Sequence, residues 1–179
     1  MPLSRFVTTA TLGLVLMLSA CDRQSGDAAQ PSAVPEGALD VSHKGSKAPD
    51  LTFHGPDGQE MRLAALTGKP LLLNLWATWC APCIAELPKL HGITKGGKIT
   101  VIAVSEDMGD AAKVAAFWRD KGFADWALWL DPEGNASNQY QVQTLPTTIM
   151  YDATGRELWR WTGGRDWSSA ASAKLLAGN

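Results

Sequence analysis

Apolar and polar residues run along this chain in blocks whose lengths mark out its elements. PLLLNLWA (residues 70–77) and ITVIAVS (99–105) are nearly unbroken apolar runs of strand length, the pattern of strands buried on both faces of a central sheet. Between them, Cys80 to about Thr94 reads as a helix that Pro88 is expected to bend. DAAKVAAFWRDKG is amphipathic: Val114, Phe117, Trp118 and Lys121 fall at turn spacing, Asp110 can cap its start and Gly122 can end it. WALWL (126–130) is a third strand, and PEGNASNQYQV a short helix or loop. Upstream, LTF and QEMRL around GPDG form a hairpin. Downstream, PTTIMYD and ELWRWTG around ATGR form another, and Trp167 to Ala177 closes the chain as a helix. Alternating β and α segments with a terminal hairpin predict an α/β domain over residues 48–179. Its central mixed β-sheet is flanked by helices in three layers, with an N-terminal β-hairpin extension.

The residues ahead of this domain follow other rules. Arg5 precedes an apolar run from Val7 to Leu18, too short to span a bilayer and fitting a signal peptide over residues 1–20. The run ends in LSAC, which resembles the bacterial lipobox, and that resemblance implies lipidation of Cys21. Asp22 resembles the signal for retention at the inner membrane, so the expected location is the bacterial cell envelope, anchored and facing the periplasm. From Cys21 to Lys47 there is no aromatic residue and much Ser, Gly, Ala and Pro, a flexible tether that cannot bury enough to fold.

Composition narrows the function. A net charge of −2 with scattered Lys and Arg gives nucleic acid nothing to bind. The eight tryptophans have no repeat spacing and are read as core. Three cysteines are an odd number for an exported protein. With Cys21 lipidated, Cys80 and Cys83 remain, in a compartment where disulfides persist.

WCAPC (79–83) offers three readings. A structural metal site needs four ligands, and His43, His54 and His91 show no ligand spacing beside the single CxxC. A staple closing so short a loop stabilises little. A redox pair fits the position: Cys80 sits where a strand gives way to a helix, at N–H groups that lack partners and carry the positive end of the helix dipole. A thiolate there is stabilised, Cys83 lies one turn on along the same face, and Pro82 costs little in a first turn. Cys80 is then the nucleophile towards a client disulfide and Cys83 the resolving thiol.

NLWATWCAPCIAELPKL resembles NxWAxWCxPCxxExPxL, and YQVQTLPTTIMYDATGRE resembles YxVxxxPTTxxxDxxGxx, both patterns of the TlpA/ResA-like thiol–disulfide oxidoreductases. The resemblance covers the whole expected domain and implies a thioredoxin-like fold that works without a cofactor. It also implies a cis Leu145–Pro146 bond, with Leu145 and Pro146 beside the cysteines as a client-binding loop. Trp79 is expected to cover a client face. Glu86, in the ExP position, is expected to tune thiol protonation. Asn74 stands where ordinary thioredoxins carry a buried aspartate and is expected to order the backbone; His91 is expected on the helix surface. Relatives of this kind imply protein disulfides as clients, on apocytochrome c or a copper-site protein, and a membrane thiol-transfer reductase upstream. Two other classes compete. A Sco-like copper chaperone wants a histidine near the thiols and usually three residues between them. A thiol peroxidase wants threonine and proline where Ala77 and Leu73 stand.

Overall fold

The structure, a computed structural model, describes residues 37–178. The signal segment, Cys21 and the first part of the expected tether lie outside the described residues.

Eight strands form one sheet in the order β1-β8-β7-β4-β5-β6-β2-β3. They are β1 Ala38–Asp40, β2 Thr52–His54, β3 Glu60–Arg62, β4 Leu71–Trp76, β5 Thr100–Ser105, β6 Leu128–Leu130, β7 Thr147–Tyr151 and β8 Glu157–Thr162. The three central strands β4, β5 and β6 are parallel, and β7 lies antiparallel to β4. The helices are α1 Ala81–Lys95, α2 Ala111–Asp120, α3 Asn135–Tyr140 and α4 Ala170–Leu176. This is the three-layer thioredoxin-like architecture the pattern predicts, with the β2–β3 hairpin appended beyond β6 through His54 and Leu130.

Period-two alternation divides the core. Leu72 and Trp76 of β4 point to one face with Leu87 and Leu90 of α1, Val114 and Trp118 of α2, and Trp167, while Leu175 and Leu176 of α4 pack alongside. Leu71, Leu73 and Leu75 point to the other, with Phe53, Ile102, Ile149 and Tyr140. Two βαβ crossovers stepping in the same direction put α1 and α2 on one face. Asp110 caps α2 by accepting from the Ala112 N–H at 2.9 Å. Gly122, at φ +83°, takes the left-handed turn that ends it.

Two expectations need correction. Residues 38–47 do not belong to a loose tether. Ala38–Asp40 pair with β8, the Gly45 and Ala48 N–H groups donate to Glu157 and Gly155, and the Arg156 guanidinium donates to the Gly45 carbonyl. This edge is held by main-chain bonds while Leu39 and Val41 stay exposed, so no hydrophobic signal announces it. His91 is buried rather than on the surface. It stacks on Trp126 at 5.4 Å, meets Phe123 edge-on, and its Nε2 lies 3.0 Å from Asp125. An imidazole can lie in an apolar wall while one nitrogen reaches the rim.

The paired edge has a direct test. Amide exchange at Gly37, Gly45 and Ala48 is expected to run about tenfold or more slower than in a free peptide. Free-peptide rates at these three amides would restore the tether to Lys47.

Candidate active site

Cys80 and Cys83 are joined as a disulfide at the start of α1. Cys80 is the N-cap, and its Sγ accepts the Cys83 N–H at 3.3 Å. Pro82 falls in the first turn, where a missing N–H costs nothing. The two residues differ in access: Cys80 keeps 5% exposure and Cys83 none. Trp79, beside them, is 72% exposed.

The loop that delivers Trp79 and Cys80 is pinned from β5. Asp107 accepts the Thr78 N–H at 2.8 Å, the Thr78 hydroxyl at 2.6 Å and the Ser105 hydroxyl at 2.7 Å. On the other side of β4, the register Leu75–Thr147 brings the start of β7 level with the end of β4. The Leu145–Pro146 bond is cis, and Gly163 N–H donates to the Pro146 carbonyl at 2.8 Å. Leu145 is half-buried against the cluster that contains both cysteines, and Pro146 is buried. Gly164 closes the site from β8: a Cβ there would stand 3.1 Å from the Pro82 Cβ, so a side chain would crowd the dipeptide between the cysteines.

Glu86, one turn beyond Cys83, is 3% exposed. Its Oε1 accepts the Asn74 Nδ2–H at 2.7 Å. Its Oε2 accepts the Arg165 main-chain N–H at 3.1 Å and the Trp167 indole N–H at 3.0 Å. Asn74 also donates to Thr148 Oγ1 at 3.0 Å, and its own Oδ1 is buried without a partner among the described residues. Burial drives the Glu86 carboxyl up to about 7, against the three donors that favour its charged form. Glu106, at the end of β5, is also pushed up to about 7, chiefly by burial.

Cys83 and Glu86 thus lie on α1 and Cys80 at its N-cap, beyond the carboxyl end of β4, with Trp79 exposed next to Cys80 and Leu145 packed on the cluster that holds both cysteines. Asn74 does something different from ordering the backbone: its amide binds Glu86. Trp167, Arg165 and Asp107 went unrecognised, because they carry no motif and reach the site only through the β8–α4 turn and the end of β5. Thr148, the second threonine of the PTT motif, reaches the site through the pairing of β7 with β4, where it stands opposite Asn74.

The domain that carries this site is similar to known proteins. Residues 44–156 match the AhpC/TSA family model. The thiol-disulfide oxidoreductase ResA of Bacillus subtilis (strain 168) is 31% identical over 132 residues, covering 70% of this chain and 70% of that one. ResA of Geobacillus kaustophilus (strain HTA426) is 32% identical over 114 residues, covering 62% of this chain, which spans 64% of the Geobacillus protein's length. Among solved structures, the exposed lipoprotein thioredoxin of Streptococcus pneumoniae strain TIGR4 superposes with a TM-score of 0.63 at 26% identity. The superposition covers 73% of this chain and 100% of the other.

The raised Glu86 carboxyl sets a pH dependence of stability. The folded protein holds this proton to about pH 7, whereas the unfolded chain releases it near the ordinary 4.5. The folded state therefore binds more protons in that window, and its stability falls as pH rises from 4.5 to 7, then levels off. Glu86→Gln removes that slope and leaves the one from Glu106; the Asn74 amide can turn its free Oδ1 to the new NH2 group. Urea unfolding of the oxidised proteins should show the variant gaining on the parent by about 3 kcal/mol across the window. A stability difference that stays constant with pH would show that Glu86 is not proton-bound at neutral pH.

Proposed function

Because the chain belongs to the AhpC/TSA family, we propose that it is a thiol–disulfide oxidoreductase whose reacting groups are Cys80 and Cys83. The observation that carries this is the Cys80–Cys83 disulfide at the N-terminus of α1, facing a cis-proline turn. In the reduced pair, the helix N-terminus favours the Cys80 thiolate. Cys80 attacks a client disulfide, one client sulfur leaves as thiolate, and a mixed disulfide forms. Cys83 then gives up its proton and attacks Cys80 Sγ, releasing the second client thiolate and regenerating the internal disulfide. The greater access of Cys80 supports this order. Glu86, buried one turn from Cys83 and half-protonated near neutral pH, suits the proton transfer from Cys83. Trp79 and the Leu145 main chain offer an apolar face and an extended edge for the client segment.

In this reading the protein reduces disulfides on protein clients of the apocytochrome c or copper-site kind and draws electrons from a membrane thiol-transfer reductase. Cys21 carries a lipid that holds the domain at the periplasmic face of the inner membrane. The similarity to ResA thiol-disulfide oxidoreductases supports disulfide exchange as the chemistry, and the pneumococcal neighbour is itself an exposed lipoprotein. Against a copper chaperone, His91 is engaged with Asp125 and Trp126, and His54 lies three strands from β4. Against a thiol peroxidase, Leu73 and Ala77 are apolar and fully buried.

Trapping separates the roles of the cysteines. Cys83→Ser is expected to hold clients on Cys80 as mixed disulfides, visible as heavier bands that reductant collapses. Cys80→Ser should hold none. Trapping by Cys80→Ser alone would reverse the assignment, and trapping by neither would remove the oxidoreductase reading.

A further inference from the structure

The geometry points to Trp167 as a positioning residue that fixes the Glu86 carboxyl through its indole N–H and sets how tightly that carboxyl holds its proton. This rests on the reading above that Glu86 exchanges a proton with the cysteine pair. Trp167 stands before α4, buried and stacked on Trp159 at 6.3 Å. Its Nε1 spends its single hydrogen on Glu86 Oε2 at 3.0 Å, the same oxygen that receives the Arg165 N–H. Two donors on one oxygen and Asn74 on the other fix the orientation of the carboxyl of Glu86, which follows Cys83 by one turn of α1.

The β8–α4 turn that presents these donors is itself braced. The Arg165 guanidinium lies 4.0 Å from the Trp161 ring centroid and 5.7 Å from that of Trp167, and its Nε donates to Ser172 Oγ of α4 at 2.8 Å. A cation over an indole face draws electron density from the ring and strengthens the N–H as a donor. The charged groups sharing the groove with Glu86 are Lys89 of its own helix and Arg165 and Asp166 of the turn. From the sheet its partner is neutral Asn74, whose amide also donates to Thr148. No charge contacts the carboxyl directly among these, so hydrogen bonds are the means by which the protein offsets its burial. That groove, about 390 Å³, is lined by Pro82, Ala85, Glu86 and Lys89 of α1 and by Gly164, Arg165 and Asp166 of the turn.

The test begins on the oxidised parent protein, where no thiol titrates. The 13C-carboxyl resonance of Glu86 and the indole 1H–15N resonance of Trp167 are expected to move with one shared midpoint near pH 7. Glu86→Gln should abolish the indole titration. In Trp167→Phe, which keeps an aromatic ring but not the donor, the carboxyl midpoint should rise by about one pH unit. The pH profile of Cys thiol alkylation in the reduced variant should rise with it. An indole resonance that does not titrate, or an unmoved carboxyl midpoint in Trp167→Phe, overturns the role of Trp167, and the first of these needs no variant to fold. If the carboxyl midpoint rises while the thiol profile stays, Trp167 keeps its role and Glu86 is not the thiols' proton partner.

Discussion

A carboxyl group taken out of water must find its hydrogen bonds inside the protein, and the layout around α1 follows from how Glu86 meets that demand. Its three donors come from β4 and from two residues, Arg165 and Trp167, of the turn between β8 and α4. The strand lies 12 residues from Glu86 along the chain and the turn 79 to 81 residues. Holding one side chain therefore fastens the central strand, the terminal hairpin and the closing helix to the helix that carries the cysteines. The fastening is one-sided: every donor is neutral, so the protein lowers the cost of the charge without cancelling it. A group held this way changes protonation near neutrality, which a fully paired carboxylate would not do.

The cysteines depend on a second constraint, the abrupt passage from strand to helix. Four residues separate the end of β4 from α1, and nothing in that stretch has regular structure to stiffen it. Asp107 supplies the stiffness by gripping Thr78 at both its amide and its hydroxyl. It acts from the far end of the neighbouring parallel strand, so the β4–β5 register and the placement of Cys80 are a single fact. Trp79 can then project outward, because the residues on either side of it are held.

Most of this fold was legible in the sequence because it is written in periods. The runs 70–77 and 99–105 became β4 and β5, Asp110 and Gly122 bounded α2, and the terminal hairpin formed as its turn chemistry implied. The cysteine pair was legible through its spacing, whereas the cis-proline turn and the interest of Glu86 came from the resemblance of two motifs to the TlpA/ResA-like proteins. What escaped has a common physical character. Asn74, Arg165 and Trp167 act through single hydrogen bonds across 12, 79 and 81 residues of chain, and no local pattern encodes such distances. The β1 edge is made of main-chain pairing, to which side-chain composition is nearly blind. His91 fooled a polarity rule because its ring lies in an aromatic wall and only one nitrogen needs the surface.

The β1 edge also gives the domain a polarity with respect to whatever holds its N-terminus. Ala38 pairs with Thr162, Thr162 with Thr147, and Thr147 with Leu75, so the first residue of β1 lies in the same row as the end of β4. Three strand spacings separate them, about 14 Å. The chain thus enters the domain on the rim where the cysteines sit rather than on the opposite one. Under the anchoring proposed above, the point of attachment falls on the reactive rim, and a disulfide presented from the anchoring surface would meet the cysteines without the domain having to turn over.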